Sequence, residues 1–142
     1  MKNLVILTDS FPYQGGEQFI ESEVHYWADT TFDNVYILPK MAPTENVRFY
    51  PKNLILYPRI EVNLFTKLIC IIMALISSIF WKELLNIFKM ERFELRNILI
   101  ALKTVTKVKL IEKQLSKAFN VIKGDIVVYS YWNDMDFYAA CE

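Results

Sequence analysis

The residues best able to meet a ligand lie in one stretch, Asp9-Ser10-Phe11-Pro12-Tyr13-Gln14-Gly15-Gly16-Glu17. Gly15 and Gly16 permit positive φ and close approach of another molecule to the backbone. Tyr13 offers a ring with a polar tip, and Glu17 a carboxylate able to orient a hydroxyl. A second set is Ser130-Tyr131-Trp132-Asn133. Tyr131 and Trp132 present flat apolar rings on which a sugar can stack, and Asn133 carries a donor and an acceptor. The same two aromatics read equally well as filling for a core. No catalytic residue emerges. His25 is the single histidine, and as a helix residue four places after Glu21 it reads as a surface group. No serine or cysteine stands in a nucleophile-elbow context. Metal-ligand spacing is absent, and no cofactor fingerprint is present: adjacent glycines are neither G-x-G-x-x-G nor a P-loop with its lysine.

The elements that must position these groups alternate. Leu4-Val5-Ile6-Leu7 is a short, partly β-branched apolar run that reads as a buried strand. Pro12 cannot continue a strand ladder. From Glu17 the period becomes helical, with Phe19, Ile20, Val24, Trp27 and Ala28 on one face. The loop before this helix offers N–H groups at its positive end, suited to a phosphate or a sugar hydroxyl. Further strands are expected at 34–38, stopped by Pro39, at 54–57, closed by Pro58, and at 125–129. Residues 40–52 read as a loop. Gly124 is placed to close a helix, and Asn133 or Asp134 to cap another from Met135 onward. Strands alternating with helices favour an α/β fold, with an open and mainly parallel sheet flanked by helices. Ligands of such sheets bind beyond the carboxyl ends of the strands. The loops after Thr8 and Tyr129 are then expected within roughly 15 Å of each other.

The middle of the chain differs. Residues 68–81 are fourteen in a row without charge. As one helix they span roughly 21 Å, short of the about 30 Å of a bilayer core. They predict a helix buried against protein or lying in a membrane interface. Residues 91–122 repeat apolar side chains at three- and four-residue steps, with lysines between. That face is either a solvated surface or a basic amphipathic one that meets anionic lipid. Residues 82–123 hold ten basic side chains against four acidic, a local +6 in a chain of net charge zero. The zero balance gives no argument for nucleic acid. With 142 residues, 54% of them apolar, the chain has material for one core. Cys70 and Cys141 form no disulfide framework. The start lacks the apolar h-region of a signal peptide, which places the protein in the cytoplasm by default.

The opening LVILTDSFPYQGGEQFIESEV resembles that of bacterial family 4 glycosyltransferases, the retaining GT-B type. The patch Ile126-Val127-Val128-Tyr129-Ser130-Tyr131-Trp132 is similar to a later strand of the same N-terminal domain. Around these motifs the resemblance runs from Met1 to Leu38 and from Lys123 to Glu142. The resemblance implies a Rossmann-like, acceptor-side domain, represented here as an incomplete GT-B N-terminal domain over 1–142. The nucleotide-sugar donor would be held by a C-terminal domain absent from these residues. The acceptor would be a glycan or a lipid-linked glycan of polysaccharide or cell-envelope synthesis, bound by Tyr13, Gly15, Gly16, Glu17, Tyr131, Trp132 and Asn133. It also implies peripheral contact with the inner face of the plasma membrane. The family's acidic pair, seven residues apart in the donor domain, has no counterpart: Glu17 and Glu23 are six apart and in the other domain. The chain alone is therefore expected to transfer no sugar. A non-catalytic, membrane-associated acceptor-binding subunit of a split enzyme is the alternative.

Overall fold

The computed structural model describes residues 1–13, 16–28, 31–40, 47–57, 63–90, 93–132 and 134–141. Gln14, Gly15 and Asn133 therefore lie outside the described residues, as does Pro58. Four strands form one sheet: β1 Lys2–Thr8, β2 Asn34–Pro39, β3 Leu54–Leu56 and β4 Asp125–Ser130. The order is β3-β2-β1-β4, and every pairing is parallel. This is a Rossmann-like open α/β sheet. The chain builds outward from β1 through β2 to β3. It then crosses back to place β4 on the free side of β1, so strand order reverses there.

Both faces of the central strands are covered, which is why their sequences read as continuous apolar runs. Leu4 and Ile6 of β1 join Val35 and Ile37 of β2 on one face. Helix α1, Gln18–Ala28, closes that face with Ile20 and Val24. Val5, Leu7 and Leu38 look the other way, onto the long helix α4, Leu95–Val121, and the short α5, Met135–Cys141. Asn3 is buried at the amino end of β1 and keeps its amide satisfied. Its Nδ2 donates to the carbonyls of Lys123 and Asp125, and its Oδ1 accepts from Asn34 Nδ2. One polar side chain thus ties β1 to both neighbours and fixes their register.

Helix α4 is about 40 Å long, roughly twice the length of these strands. It runs antiparallel to them, ending beside the start of β4. Its C-terminal half, with Val108, Ile111, Leu115 and Ala118, packs on the sheet. Its N-terminal half therefore projects beyond the carboxyl edge of the strands. There Ala101 and Val105 form a separate apolar cluster with α2, Leu64–Ile76, and α3, Ser78–Lys89.

The uncharged run 68–81 is not one helix. Ser77 breaks it: its hydroxyl donates to the Ala74 carbonyl and accepts from the Phe80 N–H, capping α3. The two helices meet at a bend of 57°. No single helix among the described residues is long and apolar enough to cross a membrane. Burial of the run is also far less than the sequence suggests, since only Cys70 and Ala74 of α2 are buried. Gly124 does not close α4, whose cap is Ile122. It turns the chain into β4 with φ of 103°. A Cβ there would lie 2.3 Å from the Met1 carbonyl oxygen, so the close approach to β1 requires glycine.

Candidate functional site

Parallel pairing brings the carboxyl ends of β1 and β4 to the same edge, with Leu7 opposite Ser130. The loops that follow touch. Trp132 Nε1 donates to Glu17 Oε1 at 2.8 Å. Phe19 of α1 sets its edge against Tyr131 and Trp132, with ring centroids 5.4 and 6.1 Å apart.

Glu17 is the hub of this contact. It lies just before α1 with φ of 54°, a left-handed conformation uncommon for a residue with a side chain. The carboxylate accounts for it. Oε2 accepts from the N–H groups of Ser10 and Phe11 at 2.7 and 2.8 Å, and from the Ser10 hydroxyl at 3.3 Å. Oε1 accepts from the Asp9 N–H at 2.9 Å and from Trp132. Burial pushes its pKa up, but these donors more than offset that and the net shift is downward. Glu17 therefore positions the loop. Its oxygens are already engaged and do not stand free to orient a hydroxyl, as the sequence suggested. The N–H groups of residues 9–11 are likewise taken by Glu17 rather than offered to a ligand.

One further expectation needs correction. Tyr13 is buried, so it supports the loop from beneath and presents no face to a ligand. Burial and the neighbouring Tyr50 raise its phenol pKa. Tyr131 is half-buried. Burial, and then the Glu23 carboxylate that accepts its hydroxyl hydrogen bond, push its pKa far up. Trp132 is 44% exposed. With its nitrogen tied to Glu17, its indole is a fixed apolar plane at the mouth of the edge.

The sequence reading missed a group at the same edge. Lys40, directly after β2, places its Nζ 3.3 Å from Asp9 Oδ1 and 3.0 Å from Asp134 Oδ2. Burial lowers the lysine pKa, while the surrounding carboxylates raise it more, for a net upward shift. Burial likewise raises Asp134, and Lys40 with the N–H groups of Asp136 and Phe137 brings it down. Asp134 also caps α5 by accepting from those two N–H groups. Lys40 thus pins the ends of β1, β2 and β4 together. Each member follows a strand, but the partners are up to 94 residues apart in sequence. The only local hint was a polar residue just past a strand end.

Asp134 further borders a cavity of about 580 Å³ between α3, α4 and α5. Its walls are mainly apolar, with Ile87, Ile100, Val105 and Met135, while Glu83 and Asn86 add polar atoms. The cavity lies beyond the carboxyl edge, where the N-terminal half of α4 projects.

Comparison with known protein families, curated proteins and solved structures finds no match.

The structure thus brings together Glu17, Tyr131 and Trp132, with Gly16 next to Glu17. Together they place a half-exposed indole beside a carboxylate whose oxygens are already bonded. No cluster of three or more His, Cys, Asp or Glu side chains suited to a metal occurs among the described residues. His25 is exposed on α1, its ring 5.8 Å from that of Phe49.

Proposed function

We propose that this chain is the acceptor-side part of a family 4 glycosyltransferase of GT-B type. In this reading it takes part in transfer of a sugar from a nucleotide sugar to a glycan or lipid-linked acceptor. The observation that supports it is the meeting of the β1 and β4 loops at the carboxyl edge, beside the point where strand order reverses. Ligands of open α/β sheets bind at such an edge. Trp132, held by Glu17, supplies the wall for an acceptor sugar, and Tyr131 with Glu23 borders it. Lys40 and Asp134 supply a charged floor. The diphosphate of the donor needs a clamp of its own, since its developing charge is where stabilisation counts most. In this reading a separate donor-binding domain would hold it.

The test is to read the coding DNA past Glu142 and to assay the complete product with a panel of nucleotide sugars and lipid-linked or oligosaccharide acceptors. The reading expects a second Rossmann-like domain in the same or an adjacent frame, and transfer whose acceptor KM rises about tenfold in Trp132→Ala. The 142-residue chain alone should give no multiple turnovers. Multiple turnovers from that chain, or transfer indifferent to Trp132→Ala, would contradict it.

A further inference from the structure

The outward face of α2 is apolar where a soluble helix is polar. Cys70 and Ala74 face α4. The opposite face carries Phe65, Leu68, Ile72, Leu75 and Ile76, and three of these, Phe65, Ile72 and Ile76, are 70%, 61% and 76% exposed. Helix α3 continues the surface with Trp81, Leu85 and Phe88, all more than half exposed. A helix pair that buries Cys70, Ala74 and Phe80 and exposes this many large side chains has much of its hydrophobic surface facing away from its own core.

The charges on this surface have one sign. Helix α2 has no acid, and its one charged residue, Lys67, lies three places before Cys70, off the outward face. Phe80 is the buried residue of α3, and Lys82 and Lys89 fall on the far side of its wheel, beside Leu85. The one acid of α3, Glu83, lines the cavity instead. Lysines rimming an apolar face, with a tryptophan among them, match an anionic interface: the stems lie on the acyl boundary and the ammonium groups meet headgroups. Neither helix alone is long enough to cross a bilayer, and the two meet at a bend of 57°. Arg96, Lys103 and Lys107 take no part in this surface. They lie on the face of α4 opposite its buried Ala101, Val105 and Val108.

We infer that the α2–α3 elbow docks the protein on a bilayer containing anionic lipid, with Phe65, Ile72 and Trp81 seated in the acyl boundary and Lys82 and Lys89 at the headgroups. The inference stands apart from the sugar-transfer reading, since it concerns a surface that binds lipid whatever the edge binds.

The experiment is flotation of the full chain with vesicles of phosphatidylcholine alone or mixed with phosphatidylglycerol. The chain should float with the mixed vesicles and stay behind with the neutral ones. Binding should weaken as salt rises from about 0.1 M to 1 M and the Debye length shortens from about 10 to 3 Å. Replacing Lys82 or Lys89 by glutamine should weaken it about fivefold each. Brominated acyl chains should quench fluorescence in the native chain and not in Trp81→Phe. The double variant Phe65→Ser, Ile72→Ser should lose flotation while keeping its far-ultraviolet spectrum and melting point, because both side chains are exposed. Equal flotation with neutral vesicles, undiminished binding of the double variant, or quenching that survives Trp81→Phe overturns the inference. So does a stable dimer in vesicle-free solution that the double variant converts to monomer, since a second copy would then cover this face.

Discussion

Glu17 shows how one side chain can decide whether a loop exists. Its backbone is in a strained region, and its carboxylate binds the three N–H groups that shape the turn after β1. Glu17→Ala leaves those donors unpaired and should cost about 3 kcal/mol, read from denaturant melts. The pH dependence has a definite sign. The Glu17 pKa is lowered in the fold, so its contribution is present above its ordinary 4.5 and is lost as pH falls through the lowered value. Melts of the native chain should therefore weaken on acidification below that range, and Glu17→Gln should flatten this limb. Asp134 acts in the same direction below its ordinary 3.8. Lys40, raised in the fold, contributes below 10.5 and is lost only as pH climbs through its raised value. The two described glycines of the loops also separate. Gly124→Ala meets the Met1 carbonyl oxygen at 2.3 Å with φ of 103° and should destabilise by about 2 kcal/mol or more. Gly16→Ala meets only Ser10 Oγ at 3.4 Å, an ordinary contact, and should change stability by less than about 0.5 kcal/mol. The left-handed conformation of Glu17 was not legible in the sequence, because it depends on a side chain that collects the N–H groups of residues six to eight places earlier.

The elements were readable where each buries a periodic face. Leu4 to Leu7, with Pro12 beyond, marks β1, and the apolar steps after residue 95 mark α4. Leu115, buried in the sheet-facing half of α4, and Leu99, exposed in its projecting half, occupy one helix with opposite roles. Leu115→Ala should cost about 3 kcal/mol and Leu99→Ala less than about 0.5 kcal/mol in parallel melts. The break at Ser77 was not readable from the same cues. Hydropathy treats Ser77 and Ser78 as mild interruptions of an uncharged run. Only the hydrogen bonds of Ser77 to Ala74 and Phe80 reveal a cap. Ser77→Ala should remove that cap at about 1 kcal/mol.

The whole molecule has two stability zones. The sheet with α1 and the C-terminal half of α4 forms clusters closed on both faces. Helices α2 and α3 and the N-terminal half of α4 share a small cluster that touches no strand. Native-state hydrogen exchange should therefore show α2 and α3 opening at lower free energy than β1 and residues 108–118. Equal protection across both zones would contradict this division. The parallel architecture was legible because strand–helix alternation leaves few other solutions. The charged floor of Asp9, Lys40 and Asp134 was not, since it assembles only when three strand ends meet. That edge carries the central claim, that the loops after β1 and β4 form one acceptor site. It is tested most directly by following the backbone and indole N–H resonances of isotope-labelled protein as oligosaccharide acceptors are added. The account predicts saturable shifts at residues 9–13, 16–19, 40 and 130–132 and at the Trp132 indole, with affinity about tenfold weaker in Trp132→Ala. Shifts confined to the opposite edge, around Asn3, Asn34 and Gly124, or no shift with any glycan, would contradict it.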